Sequence, residues 1–285
     1  MLTNKRSAPL AAIVLLAVAS TADAEPKSLL FYGNSFTGNA GGVHLMVRDI
    51  ATAAGHETPH IYGRIVSGQT LQYHLATGTS VITSGIPAGD RWDAVVLQEY
   101  STRPTTHPTD GNVPAFRAAA QGLYQAVLDH SPDAQAVLYE TWARNPGHHF
   151  YPGIWSGAPE MQAQLRENYN SASDLLNTIG TSEVARVGDA FEAGGFDNSL
   201  YAGDLYHQNN RGALLAALVI YGTIYDDITT SDIDLTPLMT SYGLDQDDFA
   251  FATNLADTVL VPGPGGAGLL AGLGVLAARR RRSRD

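Results

Sequence analysis

Apolar positions along this chain fall into two alternating patterns. Short apolar runs end at turn residues, and longer segments with apolar positions three and four apart follow them. The first run, over 28–33, stops at Gly33, and Ser35 comes two residues later. Residues 43–54 then carry helical spacing. The same alternation continues with a strand over 60–66, a turn at Ser67-Gly68-Gln69-Thr70 and a short helix over 71–76. Residues 94–98 are nearly all apolar, as in a parallel strand buried on both faces. A proline-broken polar loop over 103–108 precedes a helix over 113–130, which ends before Ser131-Pro132-Asp133. Next come a strand over 136–140, a long loop over 145–159 and a helix over 160–179. A strand over 184–187, closed by Gly188-Asp189, and a helix from about 208 to 221 complete the pattern. Strands alternating with helices predict a three-layer α/β/α sandwich of flavodoxin-like type, built on a five-stranded parallel sheet. Neither a repeat nor a linker divides residues 27–245.

The two ends break the pattern. Lys5 and Arg6 precede an apolar run over 8–19 and then Ala22-Asp23-Ala24, the three regions of a secretory signal peptide, here 1–24. The run is shorter than an ordinary membrane span, and an uncleaved anchor is the alternative. At the other end a proline-glycine turn over 261–264 leads into an apolar stretch over 265–278, followed by Arg279 to Arg282. That order makes a stop-transfer segment with its basic end in the cytoplasm. The expected domains are therefore the signal over 1–24, a globular body over 25–245, an acidic linking segment over 246–260 and a tail over 261–285. The three-part tail resembles the PEP-CTERM sorting tails of bacterial exported proteins, with Gly263 where the motif usually carries Glu. That resemblance implies cleavage by an exosortase-like enzyme. The body is expected outside the cytoplasm, in the periplasm, at the cell surface or beyond it, with a transient or permanent C-terminal anchor.

Composition narrows the classes. The 285 residues contain no cysteine, so disulfides, thiolate nucleophiles and Cys-based metal sites are excluded. A hydrophobic share of 44% suits a packed core. The net charge of −11 understates the body, where residues 25–278 hold 10 Lys and Arg against 26 Asp and Glu. Such an acidic body speaks against nucleic acid or an anionic membrane surface as partner.

Ser35 is the first chemical candidate. A hydroxyl just past the first strand lies at the carboxyl edge of the sheet, where reactive groups collect in open α/β folds. The same position suits a serine that merely caps a helix. Near the far end, Asp204 stands three residues before His207. At that spacing the carboxylate can hold the imidazole in the tautomer that leaves a basic nitrogen for a serine. Alone, the pair reads better as a helix cap followed by an exposed first-turn histidine; the order Ser…Asp-x-x-His across the whole body is more specific.

These residues resemble the SGNH (GDSL-like) hydrolases. Gly33-Asn34-Ser35-Phe36 stands where that family has Gly-Asp-Ser-Leu, and Asp204-Leu205-Tyr206-His207 matches its last block. Gly68 matches the glycine after the second strand whose amide lines the oxyanion hole. The resemblance spans residues 27 to about 225 and implies a triad of Ser35, His207 and Asp204, with the Ser35 and Gly68 amides facing the oxyanion. The third block departs from the pattern. Where the family has Gly-x-Asn-Asp, the strand here ends Leu97-Gln98-Glu99-Tyr100-Ser101. Gln98 offers the one side-chain amide at that strand end and is the expected third donor; an ionised Glu99 beside it would repel the oxyanion. Together with Tyr139-Glu140-Thr141-Trp142, this strand end marks a divergent branch.

Rival chemistries fit less well. An α/β-hydrolase elbow is Gly-x-Ser-x-Gly in mid-chain, whereas position 37 is Thr. No Gly-x-Gly-x-x-Gly or Walker loop follows a strand. His148 and His149 lack a placed third ligand, so neither a metal nor an organic cofactor is expected. Asn34, Trp142, Arg144, Tyr151 and Trp155 are candidate substrate contacts, the aromatics either stacking on sugar rings or packing their loop against the sheet. The expected function is an exported acyl (acetyl) esterase acting on an acylated polysaccharide or another small ester. The alternative is a non-catalytic carbohydrate-binding module on the same fold, and a weaker one is a phosphodiesterase or lipase using the same serine.

Overall fold

The apolar runs anticipated above pair side by side in the computed structural model, which describes residues 27–261. The expected signal segment and, apart from Val261, the expected sorting tail lie outside the described residues. In chain order the elements are β1 (Ser28–Gly33), α1 (Ser35–Gly38), α2 (Val43–Ala53), β2 (His60–Ile65), α3 (Leu71–Thr77), α4 (Val81–Ser84) and β3 (Ala94–Leu97). Then follow α5 (Val113–His130), β4 (Gln135–Tyr139), α6 (Ala158–Leu176), β5 (Thr181–Ala185), α7 (Val187–Ala193), α8 (Asn210–Tyr225), α9 (Met239–Tyr242) and α10 (Gln246–Leu260). The sheet has the order β2-β1-β3-β4-β5, and every neighbouring pair is parallel. With α2 and α8 packed on one face and α3, α5 and α6 on the other, the molecule is the expected α/β/α sandwich.

The central strands are apolar because both faces are covered. Leu29 to Tyr32 in β1 and Val95 to Leu97 in β3 are fully buried. Chain order reverses between β1 and β3, so the crevice at their carboxyl ends is the topological switch point of the sheet. Gly33 pairs with Ile65, which sets the turn after β1 beside the turn after β2.

Two expectations fail here. The fifth strand lies at 181–185 rather than 184–187, and Val187 opens α7. Thr181, Ser182 and Glu183 conceal this edge strand in the sequence, because an edge strand needs fewer apolar positions than a central one. Its register comes from pairing Gln135 to Thr181 through Tyr139 to Ala185, and Asn177 Oδ1 accepts from the Ser182 amide.

The supposed linking segment over 246–260 is α10, a helix of 15 residues packed on α8. Phe249, Ala252 and Ala256 are buried on its inner face. Its acidic residues have local work. Asp245 and Asp248 form a capping box, and Arg211 pairs with Asp248. Asp257 accepts from Thr230 N at 2.6 Å and from the Ser231 hydroxyl at 2.7 Å, which ties the preceding loop to the helix.

Candidate active site

The residue after β1 decides the local shape of the site. Asn34 leaves the strand with φ −128° and ψ −147°, and its side-chain oxygen caps α1 by accepting from Phe36 N at 3.1 Å. Its Nδ2 donates to Gln69 O at 2.9 Å, which fastens this turn to the one after β2. Gly33 must lack a side chain, since a Cβ there would stand 2.3 Å from Thr37 Oγ1 and 2.9 Å from Gln98 Oε1. On the opposite side of β1, His74 in α3 lies 3.0 Å from the Gly33 carbonyl through Nε2. A carbonyl can only accept, so Nε2 carries the proton. Burial lowers the His74 pKa to about 4, and the ring is neutral. The serine turn is thus braced from three elements.

The late loop meets this turn. Asp204 Oδ1 accepts from Tyr206 N at 3.1 Å and His207 N at 2.9 Å, curling Asp-Leu-Tyr-His into a tight turn ahead of α8. Between them Leu205 adopts φ +65°, a left-handed conformation that costs a branched side chain roughly 1 kcal/mol or more. Backbone bonds hold it there: Leu205 N donates to Ala202 O, and Leu205 O accepts from Asn145 N. Asp204 Oδ2 then lies 2.6 Å from His207 Nδ1, and His207 Nε2 lies 2.8 Å from Ser35 Oγ. Burial would raise the Asp204 pKa, but the hydrogen bonds from the His207 ring, His207 N and Tyr206 N outweigh it and hold the carboxyl below its usual range. Gln208 adds a strap by donating through Nε2 to Phe36 O at 2.9 Å. A carboxylate accepting from Nδ1–H leaves Nε2 free to accept the serine proton, which is the geometry of serine acyl transfer.

The serine and histidine line a cleft of about 470 Å³ at the carboxyl edge of the sheet, a size suited to a small ligand. Gly68 lines it from the turn after β2, with φ +72° and open space around its missing Cβ. Neither the Ser35 amide nor the Gly68 amide donates to another group of the protein among the described residues. Arg144, Tyr100 and Ser101 line the far wall, with Tyr206 beside His207. Among the candidate substrate contacts, Asn34 and Arg144 therefore reach the cleft.

The others do not, and Gln98 corrects the expected third donor. Its Oε1 accepts from Asn34 N at 2.8 Å and Thr37 Oγ1 at 3.0 Å, while its Nε2 donates to Glu99 O. Buried behind the serine turn and not among the residues lining the cleft, it is not placed to donate to an oxyanion there. Glu99 is likewise buried, accepting from Tyr100 N at 2.6 Å and Leu71 N at 3.2 Å. Burial raises its pKa to about 7 despite those bonds. Trp142 is fully buried under the site, stacked on Phe191 at 4.2 Å, with its Nε1 donating to Tyr206 O. Trp155 is buried as well and bonded to Gln164, and Tyr151 donates to Arg144 O. Trp142 packs beneath the site, Trp155 and Tyr151 pack their loop against α6, and none of the three lines the cleft. His74 and Gln208 escaped notice in the sequence, though Gln208 directly follows His207; a buried histidine two elements away leaves no spacing signal.

No family model matches the chain, and no curated protein matches it. Solved structures do. A protein described as a putative SGNH hydrolase, from Slackia heliotrinireducens, aligns at 27% identity over 70% of this chain and 99% of its own, with a TM-score of 0.57. A DUF4886 family protein from Bacteroides uniformis aligns at 15% identity over 83% and 95%, with a TM-score of 0.63. A psychrotrophic esterase from Pseudoalteromonas aligns at 14% identity over 70% and 97%, with a TM-score of 0.51. The last two likenesses establish the fold alone. The chain has the three-layer fold of SGNH and GDSL-like hydrolases.

Proposed function

We propose that this chain is an exported serine ester hydrolase of the SGNH type. Its substrate would be an acyl ester, with acetyl groups on a carbohydrate as the leading class. The observation that carries the reading is the pair of distances through one imidazole, 2.6 Å to Asp204 and 2.8 Å to Ser35. The 27% likeness to a putative SGNH hydrolase over nearly all of that protein's length adds support.

In this reaction Ser35 Oγ attacks the acyl carbonyl carbon while its proton passes to His207 Nε2. The imidazolium, stabilised by Asp204, then protonates the leaving alcohol oxygen as the carbon–oxygen bond breaks. Water attacks the resulting acyl-serine with His207 again as base, and the carboxylic acid leaves. The Ser35 and Gly68 amides would hold the oxyanion. No step calls on a metal or an organic cofactor. The signal segment and sorting tail expected from the sequence would deliver the enzyme beyond the cytoplasmic membrane, where an exosortase-like enzyme could process it.

The non-catalytic carbohydrate module draws on the missing Asn and on the aromatic loop, and the second ground weakens because Trp142 and Trp155 are buried. Turnover of 4-nitrophenyl acetate and labelling by a fluorophosphonate test the reading on residues 25–261. Both should be present in the wild type, and Ser35→Ala should remove the label and lower kcat by about 10⁴-fold or more. Wild-type rates in Ser35→Ala would sink it.

A further inference from the structure

We propose that Arg144 recognises a carboxylate carried by the substrate close to the scissile ester, so that the natural substrate is an anionic ester. The inference rests on the hydrolase function proposed above and names the class of ester. It starts from a buried cation that the catalytic steps leave unused. Arg144 follows β4 and is only 5% exposed, yet it lines the same cleft as Ser35 and His207. A guanidinium has five N–H donors. One of them, on Nη2, meets Ser101 Oγ at 2.9 Å, while Nε and Nη1 have no acceptor among the described residues.

A buried charge is costly unless it is paired and hydrogen-bonded. Arg144 is neither. Arg144 forms no ion pair among the described residues, and the nearby Asp204 is bonded to His207. Its setting is aromatic, with the guanidinium 4.5 Å from the Tyr206 ring centroid and 5.7 Å from that of Phe36. Those rings hold the group in place without neutralising it. Burial lowers its pKa to about 10, which still leaves it protonated at neutral pH.

The walls of the cleft supply no competing charge. The residues lining it include Arg144 and no Asp or Glu, although the chain as a whole carries −11. An anion that reaches the cleft therefore meets the exposed edge of a fixed, largely desolvated guanidinium, a group that suits carboxylates. Two positions of the carboxylate satisfy this chemistry. It can end the acyl chain, as in a succinyl ester, or sit on the alcohol portion, as in an acetylated uronic acid.

The test compares matched pairs of esters differing only in that charge. On the acyl side they are 4-nitrophenyl acetate against mono-4-nitrophenyl succinate; on the alcohol side, acetylated glucuronate against its methyl ester. The wild type should favour the anionic member of one pair by about tenfold or more in kcat/KM, as expected for a charge-assisted hydrogen bond. Arg144→Gln should erase that preference, and Arg144→Lys should keep part of it. Equal losses on both members of a pair would assign Arg144 to the reacting carbonyl or to structure, and would overturn the proposal. So would a wild type with no preference in either pair, a result that requires no variant to fold. Binding separates this outcome from failure of the hydrolase reading. In Ser35→Ala, which needs no turnover, calorimetry should detect glucuronate or succinate, with the affinity lost in Ser35→Ala/Arg144→Gln. Absence of binding there, alongside fluorophosphonate labelling of the wild type, would reject the anion site and leave the hydrolase standing.

Discussion

At the scale of single residues, Gln98 carries the sharpest lesson. Its side chain is the one amide at the end of β3, and its oxygen is occupied by the Asn34 amide and the Thr37 hydroxyl. It therefore supports Ser35 from behind and does not stabilise charge in front. Gln98→Ala should strand two buried donors and destabilise the fold by about 1–3 kcal/mol, with any loss of activity following that loss of stability. Urea unfolding and kcat measured on the same protein check this. A fall in kcat of about 10²–10³ at unchanged stability is the signature of an oxyanion donor and would reverse the assignment. The Ser35, His207 and Asp204 positions were legible because a distinctive spacing joins two of them. The aromatic residues at 142, 151 and 155 left two readings open for a simple reason: residue type does not tell which side of a loop a ring faces.

At the scale of elements, α10 shows how composition misleads. Acidic residues made 246–260 resemble a linker, yet the carboxylates cap the helix and tie the preceding loop while Phe249, Ala252 and Ala256 face α8. Phe249→Ala should cost about 3–5 kcal/mol by removing a buried aromatic, and a chain stopped at residue 245 should lose cooperative unfolding. Thermal melts monitored by circular dichroism would show both effects; an unchanged midpoint in Phe249→Ala would return the segment to linker status. The misplaced β5 has the opposite origin. Its polar Thr181 and Ser182 conceal a strand whose existence depends on its neighbour β4.

At the scale of the whole molecule, two buried carboxyls couple stability to pH. Burial lifts Glu99 to about 7 and drives Glu140 well above the usual carboxylate range. Gln162 donates to Glu140 at 2.6 Å, and no cation forms an ion pair with either group among the described residues. In the folded state both carboxyls hold protons that the unfolded chain releases from about pH 4.5. Folding therefore gains most from Glu99 below that pH, and the gain is lost as pH rises through about 7, on the order of 3 kcal/mol. Urea midpoints at pH 5 and pH 8 should differ accordingly. Glu99→Gln keeps the acceptor for Leu71 and Tyr100 and should flatten part of the slope; an unchanged slope would show that Glu99 is ionised in the fold.

The sequence by itself determined the alternation of strands and helices, hence the parallel sheet, and the order of Ser35, Asp204 and His207 along it. These follow from local periodicity and from residue types that few other patterns place in that order. Tertiary structure alone decided which polar groups are free. Whether Gln98 faces the cleft or the turn, whether Trp142 is wall or floor, and whether Arg144 finds a carboxylate partner all depend on contacts between β1, β3, β4 and the loop before α8. Such contacts arise between residues distant in the chain, so no local spacing records them. The serine turn was visible from its own residues, while the bare guanidinium beside it came into view only once the chain had folded.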